Sequence, residues 1–560
     1  MTETSFLHSR PPLRSLLRSA LVCLGLTLAV LLAFQHVFEK EFIAFDTDEY
    51  VINNPYVRDG FSRANLAWAM TAIYEGTWQP LTWLSHQLDT TLYGLAPAGH
   101  QASNLLIHIA NTLLLFALLL RMTGRFWPSA LVAALFCLHP LRVESVAWVA
   151  ERKGLLSSLF GLCCLHAYVN YARSSHLARY CLVALCLALG LMAKPALMAL
   201  PGLLLVLDFW PLCRVAGAFG LPATSAMPQR SPLFLLLEKV PLTLLALGSS
   251  FITYAAQKQI GAMGEEVPFG FRLANCVVSY VKYIGQLFWP SDLAPLYPYP
   301  TSIPVWQWAA AGLLLGLITA CLVWGARRAP YLLAGWLWFL ISLAPAIGLV
   351  VIGNHAMADR FTYLPGVGLV LALVWAGDAL CVRWPKILPL LAGLALAVLL
   401  ALGLATRKQT LYWRDTLTLF QHTLEVTQEN SIAQAKVGVE RARREEYEAA
   451  IAHFDRAVAI NPANFKALAF KGQVLEQLGR HQEAALCYQK VLVQAPNDLG
   501  ALNNLGIALA RLGMLEAAVE YFQAALVVAP QSEQTQRNLQ RALDMLGAES
   551  LADQPAQPLP

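Results

Sequence analysis

The chain has 560 residues, of which 57% are hydrophobic and only 13% are charged, and its mean hydropathy is +0.51. Soluble globular proteins carry about a quarter charged residues, so this composition excludes a wholly soluble chain. The net charge of +5 comes without a basic stripe, which argues against nucleic-acid binding. Apolar runs dominate up to about residue 405 and charges are dense from Arg407 onward, so we expect a membrane domain followed by a soluble domain.

The N-terminal residues 1–15 are basic and lead into the first apolar run, so we place them in the cytoplasm. The run is long for a signal peptide and no A-x-A site follows it, which favours an uncleaved span over a cleaved signal. Within residues 16–405, a segment of about 20 residues can cross a ~30 Å hydrocarbon core. We predict eleven spans, some of them short, at 16–38, 101–120, 128–147, 154–171, 178–193, 195–210, 232–256, 304–325, 331–352, 361–381 and 386–405.

The amphipathic run at 272–290 decides the topology. If it lies in the interface, nearly all short basic loops face the cytoplasm, as the positive-inside rule requires. If it crosses, the loops with Arg327 and Arg383 move outside. We therefore favour eleven spans, which leave outer loops at 39–100 and 257–303 and place the C-terminal domain in the periplasm.

The soluble part contains a repeat of 34 residues. Gly438, Gly472 and Gly506 are 34 apart, and the same spacing relates three small residues, three aromatic residues and three prolines. This order is the signature of the tetratricopeptide repeat (TPR), an α-solenoid that binds partners in a concave groove. We predict a connecting helix within 406–430, repeats with a capping helix at 431–547, and a disordered tail at 548–560. Asn504 lies at a groove position and is either a peptide-binding residue or simply solvated.

Three acids follow the first span in the long outer loop: Asp46, Asp48 and Glu49. A solvated loop is the plain interpretation. However, the acids lie close to the predicted membrane edge among aromatic residues, and Trp78 and His86 follow in the same loop. Such residues either anchor a protein at the interface or line a pocket for a sugar or lipid head group. We favour a pocket, in which a carboxylate serves as general base on a hydroxyl.

Basic residues also occur on the predicted outer side, where the positive-inside rule disfavours them. Arg and Lys there suit a lipid phosphate or pyrophosphate, which they hold by charge-assisted hydrogen bonds. Snorkelling toward lipid head groups is the alternative. The candidate phosphate-binding residues are Arg152, Lys153, Lys194 and Arg360, and His139 and Glu144 lie nearby as candidate pocket residues.

The motifs of several enzyme classes do not occur. The sequence has no HExxH, Walker loop, GxSxG or GxGxxG, so proteases, ATPases and soluble dehydrogenases have no support. His86, His139 and His355 are isolated, and the eleven cysteines form no CxxC pair. We therefore assign no metal-binding residue and expect no zinc or disulfide framework.

Five strings carry a resemblance to a known family: TWQPLTWLSHQLD, GHQASNLLIHIANTLLL, HPLRVESVAWVAERK, LGLMAKPALMALP and ADRFTYLP. With the acidic motif before them and the TPRs after them, the chain resembles bacterial relatives of the transmembrane and tetratricopeptide repeat-containing O-mannosyltransferases, members of the GT-C glycosyltransferase superfamily. The resemblance begins at Phe45 and extends to the end of the repeats. It implies an all-α chain, with a GT-C-like polytopic membrane domain and a C-terminal TPR α-solenoid.

The resemblance also implies an activity. An enzyme of this kind in a bacterial inner membrane would take mannose or another hexose from a polyprenyl-phosphate donor and transfer it to a protein Ser or Thr hydroxyl on the periplasmic face. The TPRs would bind the acceptor polypeptide. No cofactor is certain, and because related families differ in metal dependence, a divalent metal stays possible.

GT-C enzymes place an acid of the first outer loop at the reaction centre. The matching residues are Asp46 and Asp48, with Glu49 behind them. The family usually has adjacent acids, whereas Thr47 separates the two here, so either can be the base. The four basic residues named above would hold the donor phosphate. The rival hypotheses are a non-catalytic membrane-anchored TPR scaffold and a lipid or glycan transporter, of which the second is disfavoured because obvious charges inside the spans are lacking.

Overall fold

The structure is a computed structural model that describes residues 13–215, 227–259, 267–350 and 355–552. Within these ranges the chain is helical and its only β-structure consists of isolated bridges, which confirms the predicted all-α class. The chain divides into two compact units, Met1–Asp415 and Thr416–Pro560. The division falls inside the predicted connecting segment 406–430.

The first unit opens with an apolar helix, and the outer loop that follows it is largely helical. Asn54 and Ser62 cap two of the loop helices by accepting from backbone amides, and Pro80 begins the longest one. The elements are α1 (Leu13–Ala33), α2 (Pro55–Arg58), α3 (Arg63–Thr71) and α4 (Pro80–Tyr93).

The next elements form the central part of the first unit. His139-Pro140 separates α6 from α7, and the two helices meet at a bend of 62° because proline cannot continue the hydrogen-bond ladder. The elements are α5 (Pro97–Thr123), α6 (Phe126–Leu138), α7 (Val143–Ala147), α8 (Arg152–Ser174), α9 (Leu177–Ala193) and α10 (Leu200–Phe209).

Six further helices complete the unit. A 3-10 turn at Asp359–Thr362 precedes the fifth of them. Tyr297 and Met357 form an isolated bridge that ties the loop after the second helix to the segment before this turn. The elements are α11 (Pro232–Gln259), α12 (Phe269–Phe288), α13 (Val305–Gly325), α14 (Pro330–Leu343), α15 (Pro365–Arg383) and α16 (Leu388–Tyr412).

Each of the eleven predicted spans contains an apolar helix. In the described part of the chain, seven helical segments are long and apolar enough to cross a membrane, and the bent pair α6–α7 makes up to eight. Three shorter apolar helical segments lie within the other predicted spans. The predicted interfacial run 272–290 coincides with α12, which is outside both groups. These features are those of a multi-pass membrane protein.

Two glycines lie where α14 crosses α15. A Cβ on Gly335 of α14 would lie 2.3 Å from the carbonyl oxygen of Gly368 on α15, and the reverse distance is also 2.3 Å. No side chain fits at either position, so the two backbones pack directly against each other, as small residues allow in membrane helices.

The second unit consists of paired antiparallel helices, as the 34-residue period predicts. Asn430, Asn464 and Asp498 cap the first helix of each pair by accepting from a backbone amide. The helices are α17 (Thr416–Val426), α18 (Ser431–Arg443), α19 (Tyr447–Ile460), α20 (Phe465–Gln477), α21 (His481–Gln494), α22 (Leu499–Arg511), α23 (Leu515–Val528) and α24 (Glu533–Ala552).

The repeat columns explain the packing of this unit. In the first repeat, a Cβ on Gly438 would lie 2.7 Å from the ring of Phe454, and the corresponding glycines of the other repeats face Tyr488 and Phe522 equally closely. The glycine therefore admits the aromatic ring between the two helices of a repeat. The last helix extends five residues past its predicted end at 547, because Glu, Leu and Ala favour a helix there. Residues 553–560 lie outside the described ranges, as do 1–12.

Candidate functional site

The acidic segment after α1 is folded into tight turns. Asp46 has a φ of 59°, in the left-handed region that Asp tolerates better than most residues, and Asp48–Ile52 form a short π-helical turn. Phe45 anchors the segment: its ring stacks on Trp148 at 4.8 Å, and its carbonyl accepts from the indole N–H at 2.6 Å. The acids are thereby fixed beside the segment that joins α7 to α8.

The Asp46 carboxylate lies in the electrostatic field of two of the predicted phosphate-binding residues. It interacts electrostatically with Lys153 and with Arg360. Asp48 is half-buried at the start of the π-helical turn, and Glu49 is exposed. The structure therefore brings Asp46 together with residues predicted to contact a phosphate.

Arg360 is held by Glu144, one of the predicted pocket residues. The backbone amide of Arg360 donates to Glu144 Oε2 at 2.6 Å, and its guanidinium donates to Oε1. The same guanidinium nitrogen donates to the carbonyl of Pro295 at 2.9 Å. Both side chains are nearly inaccessible, so this is a buried ion pair with its hydrogen bonds satisfied.

Lys194 has a carboxylate partner, Glu151, that is not among the predicted site residues. Its ammonium group lies 2.5 Å from Glu151 Oε1. The other oxygen, Glu151 Oε2, lies 3.9 Å from Arg360 Nε and has no hydrogen-bond partner among the described residues. Glu151 is 1% exposed, so it is an acid buried between two cations.

Lys153 is placed differently from the other predicted basic residues. Its ammonium group contacts Tyr50, 3.3 Å from the hydroxyl and 4.6 Å from the ring centroid, and it lies 5.9 Å from the centre of a Trp148 ring. In the described part of the chain, no carboxylate oxygen lies within 4.0 Å of it. Lys153 is thus held by aromatic side chains and keeps its charge without a direct carboxylate partner.

Arg152, which precedes Lys153 on α8, is buried in the protein interior. Its fully buried guanidinium donates to Asp89 at 2.6 Å, to the carbonyl of His100 at 2.7 Å, to Ser85 at 3.0 Å and to Asn104. All of its nitrogens are engaged by protein groups. This geometry favours a structural role over the predicted phosphate-binding role.

A cavity of about 90 Å³ lies between Glu151, Lys194 and Arg360. Serine hydroxyls at positions 145, 157, 158 and 342 also line it, and the remaining wall is largely apolar, with Leu200 and Phe361 among its residues. The cavity is therefore charged at one part of its lining and hydrocarbon-like at another.

None of the four predicted pocket residues, Trp78, His86, His139 and Glu144, lines this cavity. His139 accepts from the amide of Leu141 and its other ring nitrogen lies 2.9 Å from the carbonyl of Leu287, so it has the structural contacts expected of an isolated histidine. Trp78 donates to the carbonyl of Met70 at 3.0 Å.

His86 is fully buried and neither ring nitrogen has a hydrogen-bond partner among the described residues. Burial lowers the pKa of His86 well below its usual value, so the ring is neutral.

Asp359 lies at the candidate site but is not among the residues predicted from the sequence. It accepts from the hydroxyl of Tyr297 at 2.8 Å and is nearly inaccessible. Burial, followed by the nearby Glu144 carboxylate, raises the pKa of Asp359 well above its usual value. The only signal available was its place beside Arg360 in an otherwise apolar string, which is weak.

A second cluster of buried charges joins α8, α10 and α11. Arg214 lies 3.0 Å from Asp208 and 3.1 Å from Glu238, and Lys239 lies 2.7 and 2.6 Å from the same two acids. Tyr168 donates to Asp208. Two acids and two bases balance each other here, which indicates a structural connection between helix ends.

Residues predicted on the outer side of the membrane and residues predicted on the inner side belong to different charged clusters. Segments predicted outside meet in the cluster of Asp46, Glu144, Lys194 and Arg360. Segments predicted inside meet elsewhere: Arg214 joins the second cluster, and Arg125 pairs with an acid, Asp378, on the α15 segment that leads to the loop of Arg383.

In the second unit, Asn504 lies on α22 and is half-buried. Its neighbour Asn503 is more buried and accepts from the amide nitrogen of Asn538 at 3.0 Å. Lys436 and Phe470 occupy the equivalent positions in the other repeats. The predicted groove position therefore carries three different side chains.

Comparison with known proteins confirms the repeat. Residues 438–498 and 500–532 match two family models of the tetratricopeptide repeat. Among solved structures, the Sgt2 TPR domain from Aspergillus fumigatus is 23% identical, with 23% of this chain and 88% of that chain covered and a TM-score of 0.22.

The predicted resemblance is also confirmed. The chain is 23% identical over 479 residues to protein O-mannosyl-transferase Tmtc3 of Drosophila melanogaster, covering 74% of this chain and 51% of the relative. It is 24% identical over 481 residues to protein O-mannosyl-transferase TMTC4 of Mus musculus, covering 76% of this chain and 64% of the relative. The chain spans about half the length of the Tmtc3 relatives that it matches.

Proposed function

We propose that the chain is a membrane glycosyltransferase that moves a hexose, in the manner of the O-mannosyltransferases it resembles, from a polyprenyl-phosphate donor to Ser or Thr hydroxyls of a polypeptide. One observation carries the proposal: a carboxylate of the first outer loop, Asp46, interacts electrostatically with Lys153 and Arg360, and Arg360 also lines a partly apolar cavity. The names of the similar proteins support the class of reaction.

The reaction is a single inverting displacement. Asp46 accepts the proton of the acceptor hydroxyl while that oxygen attacks C1 of the sugar. The bond between C1 and the phosphate oxygen breaks, and the polyprenyl phosphate leaves with the electron pair. We assign the role of base to Asp46, whose carboxylate interacts electrostatically with both cations.

Cationic groups stabilise the negative charge on the leaving phosphate. Lys153 is the first candidate because no carboxylate neutralises it directly, and its aromatic neighbours hold it beside Asp46. Lys194 and Arg360 line the cavity, whose serine hydroxyls are further donors to phosphate oxygens. The apolar part of the lining suits the first isoprene units of the donor.

The acceptor side of the proposal concerns the second unit. TPR grooves bind extended or helical polypeptides, so α18 to α23 would present the acceptor, with Asn504 near its backbone. This requires the TPR unit to be on the outer side with Asp46. The separation of the two charged clusters is in keeping with the alternating topology that predicts this arrangement.

The test is a comparison of cells that lack the chromosomal gene and carry the full chain, the Asp46→Asn variant or the Asp59→Asn variant. Asp59 is an exposed acid of the same outer loop and serves as the matched control. We expect hexose-modified Ser and Thr peptides with the wild type and the control, and their loss with Asp46→Asn. Unchanged glycopeptides with Asp46→Asn would favour the scaffold hypothesis instead.

A further inference from the structure

The cations of the cavity are already neutralised by carboxylates. Lys194 pairs with Glu151, and Arg360 pairs with Glu144. A donor phosphate would bring at least one more negative charge into a buried site. Such a charge is unfavourable in a low dielectric unless a resident carboxylate releases its cation. Lys153 is available without such an exchange, but a phosphate that pairs with Lys194 or Arg360 must displace the resident acid from that cation.

Glu144 and Glu151 are held to different extents. Glu144 accepts from both the backbone amide and the guanidinium of Arg360, which fixes both of its oxygens. Glu151 has one hydrogen-bonded oxygen, at Lys194, and its second oxygen has no hydrogen-bond partner among the described residues. Glu151 also lines the cavity. Glu151 is thus the acid whose partner is easier to replace.

We propose that Glu151 is an internal counter-anion, which holds Lys194 in position until the phosphate of the lipid donor replaces it on that ammonium group. The proposal rests on the proposed function. No covalent bond changes in this exchange. Ser157 and Ser158 line the same cavity, and the Ser157 hydroxyl donates to the backbone carbonyl of Lys194 at 3.2 Å. Glu151 is accordingly a positioning residue that acts through Lys194.

The experiment measures the binding of polyprenyl phosphate, and of the uncharged polyprenyl alcohol, to the full chain in lipid nanodiscs. We expect the wild type to prefer the phosphate. Glu151→Gln should bind it about tenfold more tightly, because Lys194 is then free. In the Lys194→Gln background, Glu151→Gln should change the Kd less than about twofold, because the cation through which Glu151 acts is missing. Asp59→Asn, which removes an exposed acid of the outer loop, is the control and should leave the Kd at its wild-type value.

Three results would overturn the proposal. A tenfold gain that persists in the Lys194→Gln background means that Glu151 only repels phosphate through space. An unchanged or weaker Kd in folded Glu151→Gln means that no exchange occurs. Glu151→Asp, which keeps the charge, should bind polyprenyl phosphate like the wild type. A gain in affinity with Glu151→Asp would also mean that no exchange occurs. If the wild type binds phosphate and alcohol equally, the donor class in the proposed function fails instead.

Discussion

Arg360 and Glu144 are joined twice, by the backbone amide and by the guanidinium of Arg360, at a point where the α14–α15 connection meets α7. This double contact orients the Arg360 side chain toward Glu151 and the field of Asp46. A neutral residue in place of Glu144 would leave the charge of Arg360 buried and without its closest partner.

Glu144→Gln is therefore expected to lower the rate of sugar transfer. Gln still accepts one hydrogen bond but loses the charge, and breaking a buried pair costs roughly 3–5 kcal/mol. We expect at least about a hundredfold drop in kcat/KM, with a lower melting temperature. The measurement is transfer by the purified chain, alongside thermal melting. A wild-type rate would show that Glu144 does not position Arg360.

The buried cluster of α8, α10 and α11 is expected to affect stability and not chemistry. Arg214→Met removes the partner of two buried acids, at a cost of roughly 3–5 kcal/mol. Thermal melting in detergent should show a clear decrease. Arg173→Met, at an exposed site on the same predicted side, is the control and should melt like the wild type. Equal melting of both variants would contradict the structural role.

The α14–α15 crossing has no room for a side chain. Gly368→Ala would place a Cβ 2.3 Å from the carbonyl oxygen of Gly335, so the helices must separate. We expect lower yields of folded protein and a lower melting temperature. Gly393→Ala is the matched control, because a Cβ there meets no atom within 4 Å. A fall with both variants would indicate a general intolerance of alanine.

Asp359 makes stability depend on pH. Because burial raises the pKa of Asp359 in the folded state, the folded chain binds this proton more readily than the unfolded chain does. Its contribution to stability is full below the usual pKa of 3.8 and is lost as pH rises toward the raised pKa. Asp359→Asn should therefore weaken the fall of melting temperature with rising pH. Parallel pH profiles of the two chains would contradict this.

Local signals predicted most of the fold. Hydropathy depends on short stretches of sequence, so the apolar helices were predicted, and the 34-residue period gave the TPR pairs. The site was predicted in part. Arg360 pairs with Glu144 and interacts electrostatically with Asp46 and Lys194.

The roles of neighbouring residues could not be predicted in the same way. Arg152 and Lys153 are adjacent on the first turn of α8, so their side chains point about 100° apart. Arg152 contacts the buried Asp89, whereas Lys153 contacts Tyr50. Without the packing of α8 against its neighbours, the sequence does not show which of the two side chains points into the protein interior. The selection of Glu151 and Asp359 likewise depends on contacts between distant segments.

The most direct test of the account is transfer of a labelled hexose from its polyprenyl phosphate by the purified full chain in lipid vesicles, in the presence of periplasmic polypeptides. The account predicts that the label moves to Ser or Thr of a polypeptide with the wild type and with Asp59→Asn, and that Asp46→Asn reduces the rate at least about a thousandfold. Transfer by Asp46→Asn at the wild-type rate would contradict it.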